Sequence, residues 1–428
     1  MNNHPSIKKQ FFHSIKRGTG EAHLLMKKNP QLDFTNYIIK AALNDYAYHS
    51  QVEGNRAWYI SELIAFSSQE ERIRKVILKA LQTERKDTWI LDQLFELAAI
   101  FALKGDNEAH KSIYKRFYKK RILYSDWCGA SAILQLDGMA GLKYIASVIG
   151  KHLEKKVDET EDDRIIYNFQ QDNPFINVWK ELKKAGKENR YIKIYLDRIG
   201  QNTASWKKNY KPPVYNFQTL KEKVDSNKFP GMIRSELIDF LSKDEIKKLA
   251  DALLVEKEEF KIANYLSIFG KIKFPYGRPA ILQLAMGKLN RENRIVEKAV
   301  EALHFFSAKD IRQFALAKLQ KTRTPAIYAE LLINNYQKGD GKLLTSIAAK
   351  LKNPDLLHTI VGCYILIYRK NKTKECKQPL ELIYNKLTCG ECRKEIVQIL
   401  LDNKVLSNKI NQEIKNDSYL ETRSLKQK

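Results

Sequence analysis

Apolar positions recur at helical spacing along almost the whole chain. In "FTNYIIKAALNDYAY", Phe34, Tyr37, Ile38, Ala41 and Ala42 fall on one face; in "RIRKVILKALQ", Ile73, Val76, Ile77, Ala80 and Leu81 do the same. "WILDQLFELAAIFAL" carries a wider apolar face, which suits a helix packed between neighbours. The series continues through "GLKYIASVIGKHL" and "NPFINVWKELKKAG". Asp87, Asp106 and Asn173 read as helix starts, because a short polar side chain accepts from the first free backbone N–H groups. Gly18, Gly105, Gly150, Gly186, Gly200 and Gly270 read as helix stops.

The pattern predicts helices of about 10 to 17 residues joined by short links, which lay consecutive helices antiparallel. Arg294–Gln320 writes two such helices back to back with a break at Phe306–Ser307. Neither buries its apolar stripe alone, whereas stacked pairs share a continuous core. The expected fold is therefore all-α, an α-solenoid of antiparallel helix pairs wound into a curved superhelix. In "AVEALHFFSAKDIRQFALAKL" a first helix closes on Leu303 and a short turn follows. Asp310 and Arg312 then open a second helix bearing Phe314, Ala315, Ala317 and Leu319. This segment resembles a HEAT-like (armadillo-like) repeat. The resemblance implies that the turn Asp and the following Arg link one repeat to the next. Looser copies of an Arg at a helix start occur at Arg56, Arg234, Arg393 and Arg423. The likeness covers about 230–420 best and speaks to fold more than to activity.

Two breaks interrupt the helical pattern. Lys155–Arg164 is polar and acidic, and Gly200–Phe217 has no helical stripe and holds Pro212 and Pro213. The second divides the chain into a helical-repeat region over 1–200, a linker over 201–216 and a HEAT-like region over 217–428. The tail "ETRSLKQK" is expected to fray. With 18 Gly and 11 Pro in 428 residues there are too few turn residues for a β-sandwich or barrel.

Charge changes the picture more than composition does. The formal net charge is +25, mostly from Lys, which favours encounters with polyanions. The alternatives are an acidic protein partner or a solubilising surface. Three stretches combine cations with aromatics. "IYKRFYKKR" offers Lys115, Arg116, Lys119, Lys120 and Arg121 beside Tyr114, Phe117 and Tyr118. "WKKNYKPPVYNF" alternates Trp206 and Tyr210 with Lys207, Lys208 and Lys211. "KIKFPYGRPAI" adds Lys271, Lys273 and Arg278. Rings that stack on bases beside cations that meet phosphates are the ingredients of nucleic-acid binding.

Catalytic and metal motifs are sparse. No phosphate-binding P-loop, H-E-x-x-H, G-x-S-x-G or dinucleotide glycine pattern occurs. Cys363, Cys376, Cys389 and Cys392 include one C-x-x-C, but a zinc ribbon needs two such knuckles, so packed thiols are expected and no metal or other cofactor is called for. "MNNHPSIKKQFF" has no apolar core, and the longest apolar run, Thr359–Tyr368, is far below the ~20 residues of a span. A soluble, cytoplasmic chain with no membrane partner is expected. The resulting expectation is a non-catalytic HEAT-like scaffold contacting nucleic acid, DNA or RNA, through the phosphate backbone. One alternative is a protein-interaction adaptor in a bacterial multi-protein system such as phage defence. A second is an enzyme: the chain is similar to HEAT-like bacterial DNA glycosylases in being basic, helical and Trp-bearing, and "YSDWCGA" places Asp126 beside Trp127.

Overall fold

The computed structural model describes residues 4–119, 128–156, 158–209, 214–226, 238, 240–289 and 294–425, with the side chains of 4–6 and 204–209 outside that description. Every regular element among the described residues is helical. The chain forms two compact units. The first comprises Met1–Lys211, Thr388–Glu391 and Lys409–Ser424; the second comprises Pro212–Leu387, Cys392–Asn408 and Leu425–Lys428.

The first unit holds α1 (His4–Arg17), α2 (Glu21–Lys28), α3 (Thr35–Ala42), α4 (Ser50–Glu53), α5 (Ala57–Ala65), α6 (Glu70–Thr83), α7 (Thr88–Leu103), α8 (Asn107–Tyr118), α9 (Ala130–Glu154), α10 (Arg164–Asp172), α11 (Val178–Glu188) and α12 (Arg190–Asn209). Its core follows the sequence stripes: Phe34, Ile38, Ala41, Ile73, Ile77 and Leu81 are buried. Helix α7 buries Leu91, Leu94, Phe95, Leu97, Ala98, Ala99, Ile100 and Phe101, as its wide apolar face demands. Two of the expected caps form. Asp87 accepts from the N–H groups of Trp89 and Ile90, and Asp106 accepts from those of Glu108 and Ala109. Asn173 does not start a helix. It ends α10, its side chain donating to Phe169 O, and Asn177 caps α11 by accepting from Lys180 N.

Buried polar side chains close helix ends from a distance. The Gln93 amide donates to the carbonyls of Ala41 and Ala42, each at 3.0 Å, at the end of α3. Terminal carbonyls have no partner within their own helix, and a buried one left bare is costly.

Three of the glycines read as stops lie inside helices. Gly150 sits within α9, and a Cβ there would fall 1.8 Å from the Tyr191 carbonyl oxygen of α12. It is a point of close helix approach rather than a terminus. Gly186 lies in α11 and Gly200 in α12, which runs on to Asn209 through sequence expected to be linker. Helix α9 is the one described helix with the length and hydropathy of a membrane span. It breaks at Gly138 (φ 52°, ψ −124°), buries Leu142, Ile145, Ala146 and Ile149, and packs against α7 and α12 as a core helix.

The segments 388–391 and 409–424 dock on the N-terminal helices of the same unit. Arg56 donates to Lys16 O at 2.6 Å and to Thr388 O at 2.9 Å, and Gly390 N donates to Glu53 Oε2 at 2.8 Å. Ser418 N donates to Gly18 O at 2.7 Å, and a Cβ on Gly20 would lie 1.9 Å from Glu413 O. Arg423, expected to fray with the tail, makes a two-pronged pair with Glu62 at 2.6 and 3.0 Å.

The second unit carries linked turns. Asp310 accepts from Arg278 at 2.9 and 3.0 Å, and Arg312 reaches on to Asp340 at 2.6 and 2.7 Å and to Asn335 O at 2.7 Å. Glu375 continues the series, accepting from Tyr336 Oη at 2.7 Å and from the Gly339 N–H. The helices Ile295–Leu303 and Lys309–Leu319 flank the break seen in the sequence.

Two stability measurements test these packing arguments. Gly150→Ala should lower the melting temperature, with a cost of about 1–3 kcal/mol from overpacking. Gly200→Ala, whose Cβ meets nothing within 4 Å, should raise stability by up to about 1 kcal/mol, as expected inside a helix. Equal losses in both would contradict the close-approach argument. The second test concerns Glu62. Burial pushes its carboxyl up, but His23 and Arg423 beside it outweigh that and hold it at about 2. Its folded value is depressed, so its contribution is present above about 4.5 and disappears as pH falls towards 2. Arg423→Ala should flatten that acid-side loss by about 1 kcal/mol, since the pair is partly solvated, and should open 409–424 to limited proteolysis.

Candidate nucleic-acid interface

The basic segment at the end of α8 splits into two kinds of cation. Lys115 and Lys119 are exposed, one turn apart. Arg116 is buried at 5% exposure and donates to Leu81 O at 2.9 Å and Glu84 O at 2.8 Å. It closes the end of α6 and is lost to any ligand, which corrects its expected place on the binding surface. Lys120 and Arg121 lie outside the described residues, as do the side chains of Trp206, Lys207, Lys208, Tyr210 and Lys211. Asp126 and Trp127, the residues behind the glycosylase resemblance, lie outside them too.

Cations from α9 join Lys115 and Lys119. Lys151 Nζ donates to Tyr118 Oη at 2.8 Å and stands 5.3 Å from the Tyr118 ring centre. That hydrogen bond pulls the Tyr118 phenol below its ordinary value, with a smaller effect from Lys155 nearby. Tyr118 is more than half exposed. Arg190, at the start of α12, stacks at 4.9 Å on the Tyr191 ring and pairs with Glu154 at 3.1 Å. The result is an exposed ring with Lys151 and Lys155 beside it, and with Lys115 and Lys119 exposed on the same end of α8. Lys151 and Lys155 are one turn apart near the end of α9; the signal was in "GKHLEKK", where the cations follow an apolar stripe.

The third basic stretch fares differently. Arg278 donates through Nε to Asp310, so it serves as a turn linker, with its side chain 42% exposed. Lys273 sits 5.2 Å above the Phe306 ring, and Lys271 is exposed.

Between α11 and α12 lies a cavity of about 940 Å³. Trp179, Lys183, Gly186 and Lys187 line it from α11; Lys193, Leu196, Asp197 and Gly200 line it from α12. In the second unit an apolar groove of about 570 Å³ is lined by Leu253, Leu254, Ile262, Ile281 and Leu284 with Glu256, Glu259 and Lys288 at its edges.

A different chemistry sits on α7. Asp92 and Glu96, one turn apart, are both largely buried. Asn55 donates to Asp92 at 2.9 Å, and the Cys128 thiol lies 3.8 Å from the other Asp92 oxygen. Burial raises both carboxyls, and Asp92 adds to the effect on Glu96, which reaches about 7. A carboxyl at that value can both give and take a proton near neutrality. In the sequence these are two acids one turn apart within the wide apolar pattern of α7, where spacing alone does not show that they are buried. Among the other thiols, burial pushes Cys363 up to about 12 and Cys376 up to about 11, as for packed core cysteines.

No protein-family model matches the chain, and no curated protein was found to be similar to it.

The buried pair predicts an unusual pH profile. The unfolded chain releases the Glu96 proton near 4.5 and the folded chain near 7. Stability should therefore fall as pH rises through that window, by on the order of 3 kcal/mol at the upper end. Glu96→Gln should remove this slope and raise the melting temperature at pH 8; an unchanged profile would rule the buried carboxyl out as its source.

Proposed function

We propose that this protein is a binding scaffold built of HEAT-like helix pairs, whose first unit engages the phosphate backbone of nucleic acid. One observation carries the reading: Lys151 and Lys155 stand beside the exposed Tyr118 ring, and Lys115 and Lys119 are exposed on the same end of α8. Lysines on a rigid helical face suit phosphates as point charges, and the ring adds a stacking surface that tolerates any base. Nothing in this set reads base edges, so binding is expected to follow charge and shape rather than sequence. The repeat reading draws its support from the second unit, where Asp310 reaches back to Arg278 and Arg312 reaches on to Asp340. That is the linkage the resemblance implies for consecutive repeats.

The test is a salt titration of binding to DNA and to RNA. Affinity should fall steeply with salt, and changing the four lysines together to Ala should reduce the slope of log K against log salt by about three. Lys273→Ala, in the second unit, should leave the slope unchanged. Absence of binding even at low salt would end this reading.

A further inference from the structure

The cavity between α11 and α12 has the chemistry of a nucleotide site, and we propose that it binds a nucleoside polyphosphate. The two helices each turn one stripe towards it. On α11 the stripe is Trp179, Lys183, Gly186 and Lys187, and on α12 it is Lys193, Leu196, Asp197, Gly200 and Thr203. These side chains sort by position. Trp179 stands near the start of α11, and Asp163, at the start of α10, also lines the cavity. Asn202 donates to the Glu161 carbonyl at 3.0 Å, which brings the Asp163 segment to the Gly200–Thr203 end of α12. Lys187 and Lys193 stand at the other end, on either side of the turn that joins the two helices. The cavity thus has an aromatic end with a carboxylate and a cationic end, with Lys183 between them.

Along α11 the rise puts Lys183 about 6 Å and Lys187 about 12 Å beyond Trp179. That spacing fits a base on the Trp179 ring, a first phosphate at Lys183 and further phosphates between Lys187 and Lys193. Trp179 is anchored against the core yet only partly buried, so one part of the ring is held and another is accessible. Asp163 and Asp197 are placed to accept from ribose hydroxyls or a base amino group, as carboxylates do in nucleotide sites. Lys183, Lys187 and Lys193 form no ion pair among the described residues, and with Asp163 and Asp197 in the same lining the cations outnumber the carboxylates three to two. A volume of about 940 Å³ accommodates a ligand of this size. At Gly200 a Cβ would meet nothing within 4 Å, so the α12 wall is open where the base would lie.

The inference stands apart from the phosphate-backbone surface, and the experiment separates them. ATP is titrated into the full chain and followed by calorimetry, with AMP, adenosine and a single-stranded oligonucleotide as parallel ligands. Saturable one-to-one binding of ATP is expected, with AMP weaker and adenosine weaker still. Trp179→Leu should weaken ATP by about tenfold, and Trp179→Phe should restore most of it. Lys187→Gln with Lys193→Gln should narrow the gap between ATP and AMP. Gly200→Phe should block the site while the melting temperature stays near that of Gly200→Ala. The variant lacking Lys115, Lys119, Lys151 and Lys155 should bind ATP normally. The proposal is overturned by no saturable ATP binding, by binding indifferent to Trp179→Leu and Gly200→Phe, or by capture of the oligonucleotide alone.

Discussion

The approach of α12 to α9 requires glycine at position 150. The Tyr191 carbonyl occupies space that any side chain at position 150 would need. Close to that contact Arg190 reaches Glu154, and Lys151, the next residue of α9, reaches Tyr118 of α8. Helix packing normally keeps axes 8–10 Å apart, and glycine is what permits closer approach. The close approach of α9 and α12 therefore depends on one missing methyl group.

Net charge is a poor map of where cations stand. Arg116 and Arg56 face inward to carbonyls at helix ends and turns, and Arg278 and Arg312 are committed to Asp310 and Asp340. Arginine suits these tasks because its planar fork satisfies several acceptors at once. The cations left on the first unit's proposed surface are lysines, whose heads stay hydrated on flexible stems. At these four positions arginine holds turns and helix ends, a task that Lys386 shares at the end of the helix Asp340–Lys350, where it donates to the carbonyls of Ala348, Ala349 and Leu351. The placing of arginine also explains why the buried acids matter. Asp92 and Glu96 have a neutral amide and a thiol beside them instead of an arginine, so burial raises them, while Glu62, beside Arg423, is held low.

The sequence by itself determined the helical class, much of the core and several caps. Periodicity is enough for that, since a stripe such as Ile73, Ile77 and Leu81 can be buried in only one way, and Asp87 and Asp106 act on backbone groups two and three residues away. The Asp310–Arg312 turn was legible through its resemblance to a HEAT-like repeat, although its partners Arg278 and Asp340 were not. What only the tertiary structure decided is everything that depends on a distant neighbour. Gly150 reads as a stop until Tyr191 is seen against it, and Arg116 reads as a surface cation until the α6 carbonyls appear. Arg423 reads as part of a fraying tail until Glu62 meets it. The cavity, likewise, draws its walls from two helices and its end from a third. Spacing along a chain encodes which face a residue occupies; it does not encode what stands opposite, and a site is made of what stands opposite.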